Sequence, residues 1–102
     1  MLDLSMNKIT ATEDIGNTSF QGDMLITYAE LVAALGDPHY TGGDKTTAEW
    51  DFITEDGIVF TIYDYKQDET PTFKYEWHIG GADQKVIAIV KQLFPTNKVE
   101  GK

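Results

Sequence analysis

From Tyr28 to Leu35 the apolar positions Tyr28, Leu31, Val32 and Leu35 fall at spacings of three and four, which is one face of a helix. Thr27 precedes the run with Glu30 three residues on, a capping box, and Gly36 and Pro38 end it. After the glycine-containing loop "HYTGGDK" the period changes to two. Apolar residues alternate on both sides of Glu55-Asp56-Gly57. If these three residues form the loop, with Gly57 left-handed, Phe52 faces Phe60 and Trp50 faces Ile62. One face of the hairpin then reads Trp50, Phe52, Ile58, Phe60, Ile62, which a slip of one residue would scramble. Beyond the polar stretch Lys66 to Thr72 a third strand alternates Phe73, Tyr75, Trp77 and Ile79 with Lys74, Glu76 and His78. A second helical stripe follows, Val86, Ile89, Val90, Leu93 and Phe94, with Asp83 as N-cap and Pro95 as stop.

The ends carry weaker patterns. "MNKITATED" offers a short edge strand, "IGNTSFQGD" reads as loop, and residues 1–23 together read as a loosely structured segment. "TNKVEGK", residues 96–102, reads as a frayed tail. The expected fold is therefore α+β: an antiparallel sheet of three to four strands with two helices on one face, in the order (β)-α-β-β-β-α. At 102 residues the chain is expected to be a single domain.

Charge narrows the field of partners. The chain has 17 acidic residues against 8 basic ones, all lysine, for a net charge of −9. Without arginine it lacks the bidentate fork that reads phosphates and base edges, so neither nucleic acid nor an anionic membrane is an expected partner. Eight of the acids fall in residues 44–69 (Asp44, Glu49, Asp51, Glu55, Asp56, Asp64, Asp68, Glu69), a field that would attract a basic partner. There is no cysteine, no run long enough to span a membrane and no signal-peptide pattern in "MLDLSMNKIT", which together lead us to expect a cytoplasmic protein.

Candidate chemistry centres on "YEWHIGG", Tyr75 to Gly81. By alternation His78 points away from the aromatic core, sharing the polar face with Glu49, Asp51, Tyr63, Tyr65 and Glu76. Tyrosines beside acids on an open sheet face have the make-up of a protein-binding patch. Gly80 and Gly81 read as the joint between strand and helix, or as a ligand turn aimed at Asp83. With two histidines, His39 and His78, and no EF-hand spacing, no metal or cofactor is expected. Trp50 and Trp77 fall on the core-facing column and read as packing, or as the walls of an apolar pocket if that column is left uncovered.

The pieces "GGDKTTAEW", "DGIVFTIYDYK" and "EWHIGG" give the chain a likeness. It resembles a family of short uncharacterised proteins of tailed bacteriophages, over roughly Leu35 to Gly81. "LGDP" leading into aromatic-rich strands is also similar, in architecture, to one repeat of the β-lactamase inhibitor proteins. The first resemblance implies a small acidic protein acting inside a bacterium. The leading expectation is a non-enzymatic inhibitor that occupies a basic, nucleic-acid-binding type of surface on a host or defence protein. An alternative is sequestration of a small molecule or nucleotide signal, with Trp50 or Trp77 stacking on it and Gly80-Gly81 holding its polar end. A third is a small hydrolase using His78 and a carboxylate. An exposed edge strand would also allow a homodimer by sheet extension.

Overall fold

The computed structural model describes residues 8–43 and 45–102. Asp44 and the first seven residues, and with them part of the acidic run, of "MNKITATED" and of the N-terminal signal reading, lie outside the described residues. The elements in chain order are β1 (Ile9–Ala11), β2 (Ser19–Ile26), α1 (Tyr28–Leu35), β3 (Tyr40–Thr41), β4 (Ala48–Thr54), β5 (Val59–Tyr63), β6 (Tyr75–Gly81), α2 (Lys85–Leu93) and β7 (Lys98–Gly101).

The α+β class holds, but among the described residues the sheet has seven antiparallel strands rather than three or four. Its order is β1-β4-β5-β6-β2-β7, with β3 on the same edge of β4 as β1. The hairpin register is as the alternation required: Trp50 pairs with Ile62 and Phe52 with Phe60. Gly57 has a positive φ of 84°, and its N–H closes the loop on the Thr54 carbonyl. The α1 capping box is present in both directions, Thr27 Oγ1 accepting from Glu30 N and Glu30 Oε1 from Thr27 N.

Both helices pack on the face that carries Trp50, Trp77, Ile62, Ile79 and Met24. Tyr28 of α1 lies against the two tryptophans, and Trp50 Nε1 donates to the Gly36 carbonyl at 3.0 Å. Val86 of α2 sits over Gly81, and Ile87 over Gly22. Ile87 is buried, and Ile89 only partly, so the α2 stripe is rotated from the expected one.

Four sequence expectations are corrected here. Ser19–Ile26 is not loop but an eight-residue strand between β6 and β7. A bulge between Phe20 and Gly22 breaks its alternation, so Phe20 and Asp23 share a face although they are three apart. Residues 98–101 are not a frayed tail but β7, paired with β2 from Leu25–Lys98 to Gly22–Gly101, with Asn97 Nδ2 donating to the Leu25 carbonyl. Phe73 is 64% exposed, because β6 begins only at Tyr75. Gly80 and Gly81 are not a joint but the last two residues of β6, paired with Phe20 and Ser19.

Candidate acidic and aromatic site on the helix-free face

The face opposite the helices is organised by strand register. One row runs across six strands: Tyr40, Glu49, Tyr63, His78, Asp23 and Glu100 are successive cross-strand partners. The neighbouring row holds Asp51, Thr61, Gly80 and Phe20. Tyr65 follows β5 and stacks on His78, centroids 5.6 Å apart. Glu76 stands next along β6, exposed. All six residues expected to form a binding face are therefore on one side of the sheet.

They do not share one environment. The connection between β1 and β2, residues 12–18, runs across this face as a strap. Thr12 N donates to the Asp51 carbonyl, and Ile15 and Thr18 close over Thr61, Tyr63 and Gly80 around a cavity of about 220 Å³. Beneath this half of the face Asp51 is wholly buried, contrary to the exposure that alternation implied. The strap ties β1 beside β4 to β2 beside β6, and that path is set by pairings distant in sequence. Glu49 is half-buried and lines the cavity.

Neither oxygen of Asp51 receives a bond from an N–H or hydroxyl among the described residues. The Glu49 carboxyl stands two residues away on the same face of β4. Burial, then the neighbouring Asp51 carboxyl, then the charge of Asp64, push Glu49 up to about 8. Burial also raises Asp51. At neutral pH Glu49 is therefore protonated. His39 bounds the pair from the β4 edge: its Nδ1 accepts from Asp51 N at 2.9 Å, and burial lowers its pKa.

The other half of the face is uncovered. His78 lies among three rings, Phe20 at 4.8 Å, Tyr63 at 5.4 Å and Tyr65 at 5.6 Å. Burial lowers its pKa despite the charges of Asp23, Asp64 and Glu76, so the ring is neutral at physiological pH. Asp23 and Glu76 flank it on β2 and β6. Phe20 and Asp23 were missed from sequence, since the β2 bulge hides the alternation that would have placed them.

The two glycines serve opposite faces. A Cβ on Gly80 would strike Thr61 Oγ1 on the cavity side, and one on Gly81 would strike Val86 Cγ1 on the helix side. Asp83 is not the formal cap of α2; that position is Gln84, and the Asp83 carboxylate accepts from Lys85 N at 2.8 Å. Trp50 and Trp77 are fully buried edge to face, 5.7 Å apart, so no ligand reaches either in this conformation. Asp64, also fully buried, accepts from Thr47 N, Ala48 N and Thr47 Oγ1 and anchors the start of β4.

Among the described residues no group of three or more His, Cys, Asp and Glu side chains is arranged to hold a metal ion, and no helix is long and apolar enough to cross a membrane. Compared with protein families, with curated proteins and with solved structures, the chain matches none.

Proposed function

We propose that this is a binding protein rather than an enzyme, one that occupies a basic surface of a bacterial host or defence protein in the cytoplasm. The observation that carries the reading is the uncovered half of the helix-free face. There Phe20, Tyr63, Tyr65 and His78 form a half-buried aromatic cluster with the carboxylates of Asp23 and Glu76 at its rim. Aromatic anchors with a charged rim are what a protein interface uses for affinity and for steering. A basic partner matches the sign of this rim. Among the described residues only Lys8–Glu55 and Lys98–Glu100 form ion pairs, so neither Asp23 nor Glu76 is engaged by a lysine there.

The stacking platform of the sequestration alternative, Trp50 or Trp77, is enclosed in the core, and nothing in the geometry favours that reading.

The test is affinity capture from bacterial lysate at low and high salt, with the unmodified chain and with Asp23→Lys/Glu76→Lys. A basic protein retained at low salt, released at high salt and lost in the double variant is the expected result. Equal capture by the double variant would sink the acidic-rim reading.

A further inference from the structure

β7 ends the sheet, and among the described residues no strand pairs with its outer side. Its backbone is open there in a definite pattern. Lys102 N donates to the Gln21 carbonyl, which fixes the alternation along the β2–β7 register. Lys98 and Glu100 turn their N–H and C=O groups to β2, while Val99 and Gly101 turn theirs outward. The Val99 side chain is buried on the helix side, so this edge presents main chain with a charge on each side of it.

The opposite edge is broken. There β4 is flanked by β1 and β3, of three and two residues, and in the gap between them the His39 ring accepts from Asp51 N in place of a backbone carbonyl. β7 is the edge at which the sheet can grow.

Two features of β7 point to what pairs with it. The first is an imbalance across the ladder. Glu100 faces Asp23 of β2, an acid opposite an acid, and Lys98 faces Leu25, so neither has an opposite charge across from it. They reach along their own strand instead, Lys98 Nζ to Glu100 Oε1 at 3.4 Å, with both side chains mostly exposed. The second is symmetry: the lysine and the glutamate stand one residue to either side of Val99. In an antiparallel pairing of two β7 strands centred on Val99, the outward groups of the two Val99 residues bond to each other. Lys98 of each copy then stands opposite Glu100 of the other. Centring on Glu100 would set glutamate against glutamate and Lys98 against Lys102, and centring on Gly101 joins the strands at that residue alone within β7. Charge selects one register.

Nothing on the helix side obstructs it. α2 lies over β2, with Ile87 against Gly22. At about 4.8 Å per strand the two copies of α2 would stand roughly 14 Å apart, beyond the about 8–10 Å of packed helices.

We propose that this chain forms a two-fold homodimer by antiparallel β7–β7 pairing centred on Val99, which joins two sheets into one. The two-fold axis stands perpendicular to the sheet, so both helix-free faces look to the same side. The dimer does not depend on what those faces bind.

The experiment is sedimentation equilibrium of the full chain over roughly 1 µM to 1 mM, paired with hydrogen exchange at both ends of that range. Expected is a monomer–dimer equilibrium with a Kd on the order of 100 µM, as suits an interface of one strand pair. Lys98→Glu and Glu100→Lys should each weaken it roughly tenfold, by setting like charges opposite each other, and the double variant should restore it. Association limited only by the net negative charge would instead be strengthened by Glu100→Lys, and that result overturns the proposal. In the dimer the Val99 amide should become protected, while the Glu100 amide, bonded to β2, is protected at every concentration. A monomer throughout, a dimer indifferent to both single variants, or a Val99 amide that exchanges as fast in the dimer as in the monomer each overturns it as well.

Discussion

Glu49 and Asp51 stand two residues apart on one face of β4, at a place where Asp51 has no exposed surface and neither of its carboxyl oxygens has a partner among the described residues. Successive same-face positions of a strand put their side chains close together, so each carboxyl disfavours the charge of the other. Burial and that neighbour push Glu49 up to about 8, so its proton belongs to the native state at neutral pH.

Stability should fall with rising pH above neutrality. Glu49 titrates near 8 when folded and near its ordinary 4.5 when unfolded, so between those values the native chain binds more protons than the unfolded one. The stabilisation is fully present below about pH 4.5 and is lost as pH passes 8. His39 and His78, both lowered by burial, act in the opposite sense, costing stability as pH falls below 6.5, so the window above pH 7 isolates the carboxyl pair. Urea unfolding at pH 7 and 8.5 should show a loss of up to about 1 kcal/mol, discounting for partial solvent screening of Glu49. In Glu49→Gln the loss should vanish; an equal loss in the variant would remove Glu49 as its source.

Gly80→Ala and Gly81→Ala should each destabilise, by about 1–3 kcal/mol, through different partners. The first pushes on Thr61 and the second on Val86. Thr61→Ala should therefore recover part of the Gly80→Ala loss and none of the Gly81→Ala loss, and Val86→Ala the reverse. Thermal melts of the two double-mutant cycles read the coupling. Coupling in the crossed pairs as large as in the matched ones would mean that the glycines do not act on separate faces.

Val99→Asp should cost about 3 kcal/mol or more, since Val99 is buried in the core opposite Met24 and the aspartate would find no partner there. Hydrogen exchange should show lost protection in the outer edge of β2, which β7 covers. Protection unchanged in β2 would return residues 98–101 to the status of a loose end.

The legible parts of the fold were those written in short-range patterns. The β4–β5 register followed from one alternation and one left-handed glycine, and α1 from a stripe with a box at its start. What stayed hidden was long-range. β2 carries Gly22 and Asp23 at its centre and a bulge at Gln21, so no period of two survives in it. Gly22 is required because a Cβ there would strike the Glu100 carbonyl oxygen and Ile87, contacts from residues far along the chain. The face shared by Glu49, Asp51, Tyr63, Tyr65, Glu76 and His78 was readable from alternation, but its division into a covered and an uncovered half was not. That division depends on where the strap crosses.

The strand order also sets a timetable for the nascent chain. β2 emerges early but pairs only with β6 and β7, at residues 75–81 and 98–101. Until those residues leave the ribosome, Met24, Leu25 and Ile26 travel as an apolar strand with both edges unsatisfied. Until β7 has emerged such a chain cannot complete its sheet, and β2 stays open to chaperones and to aggregation through the whole interval that separates it from residues 98–101.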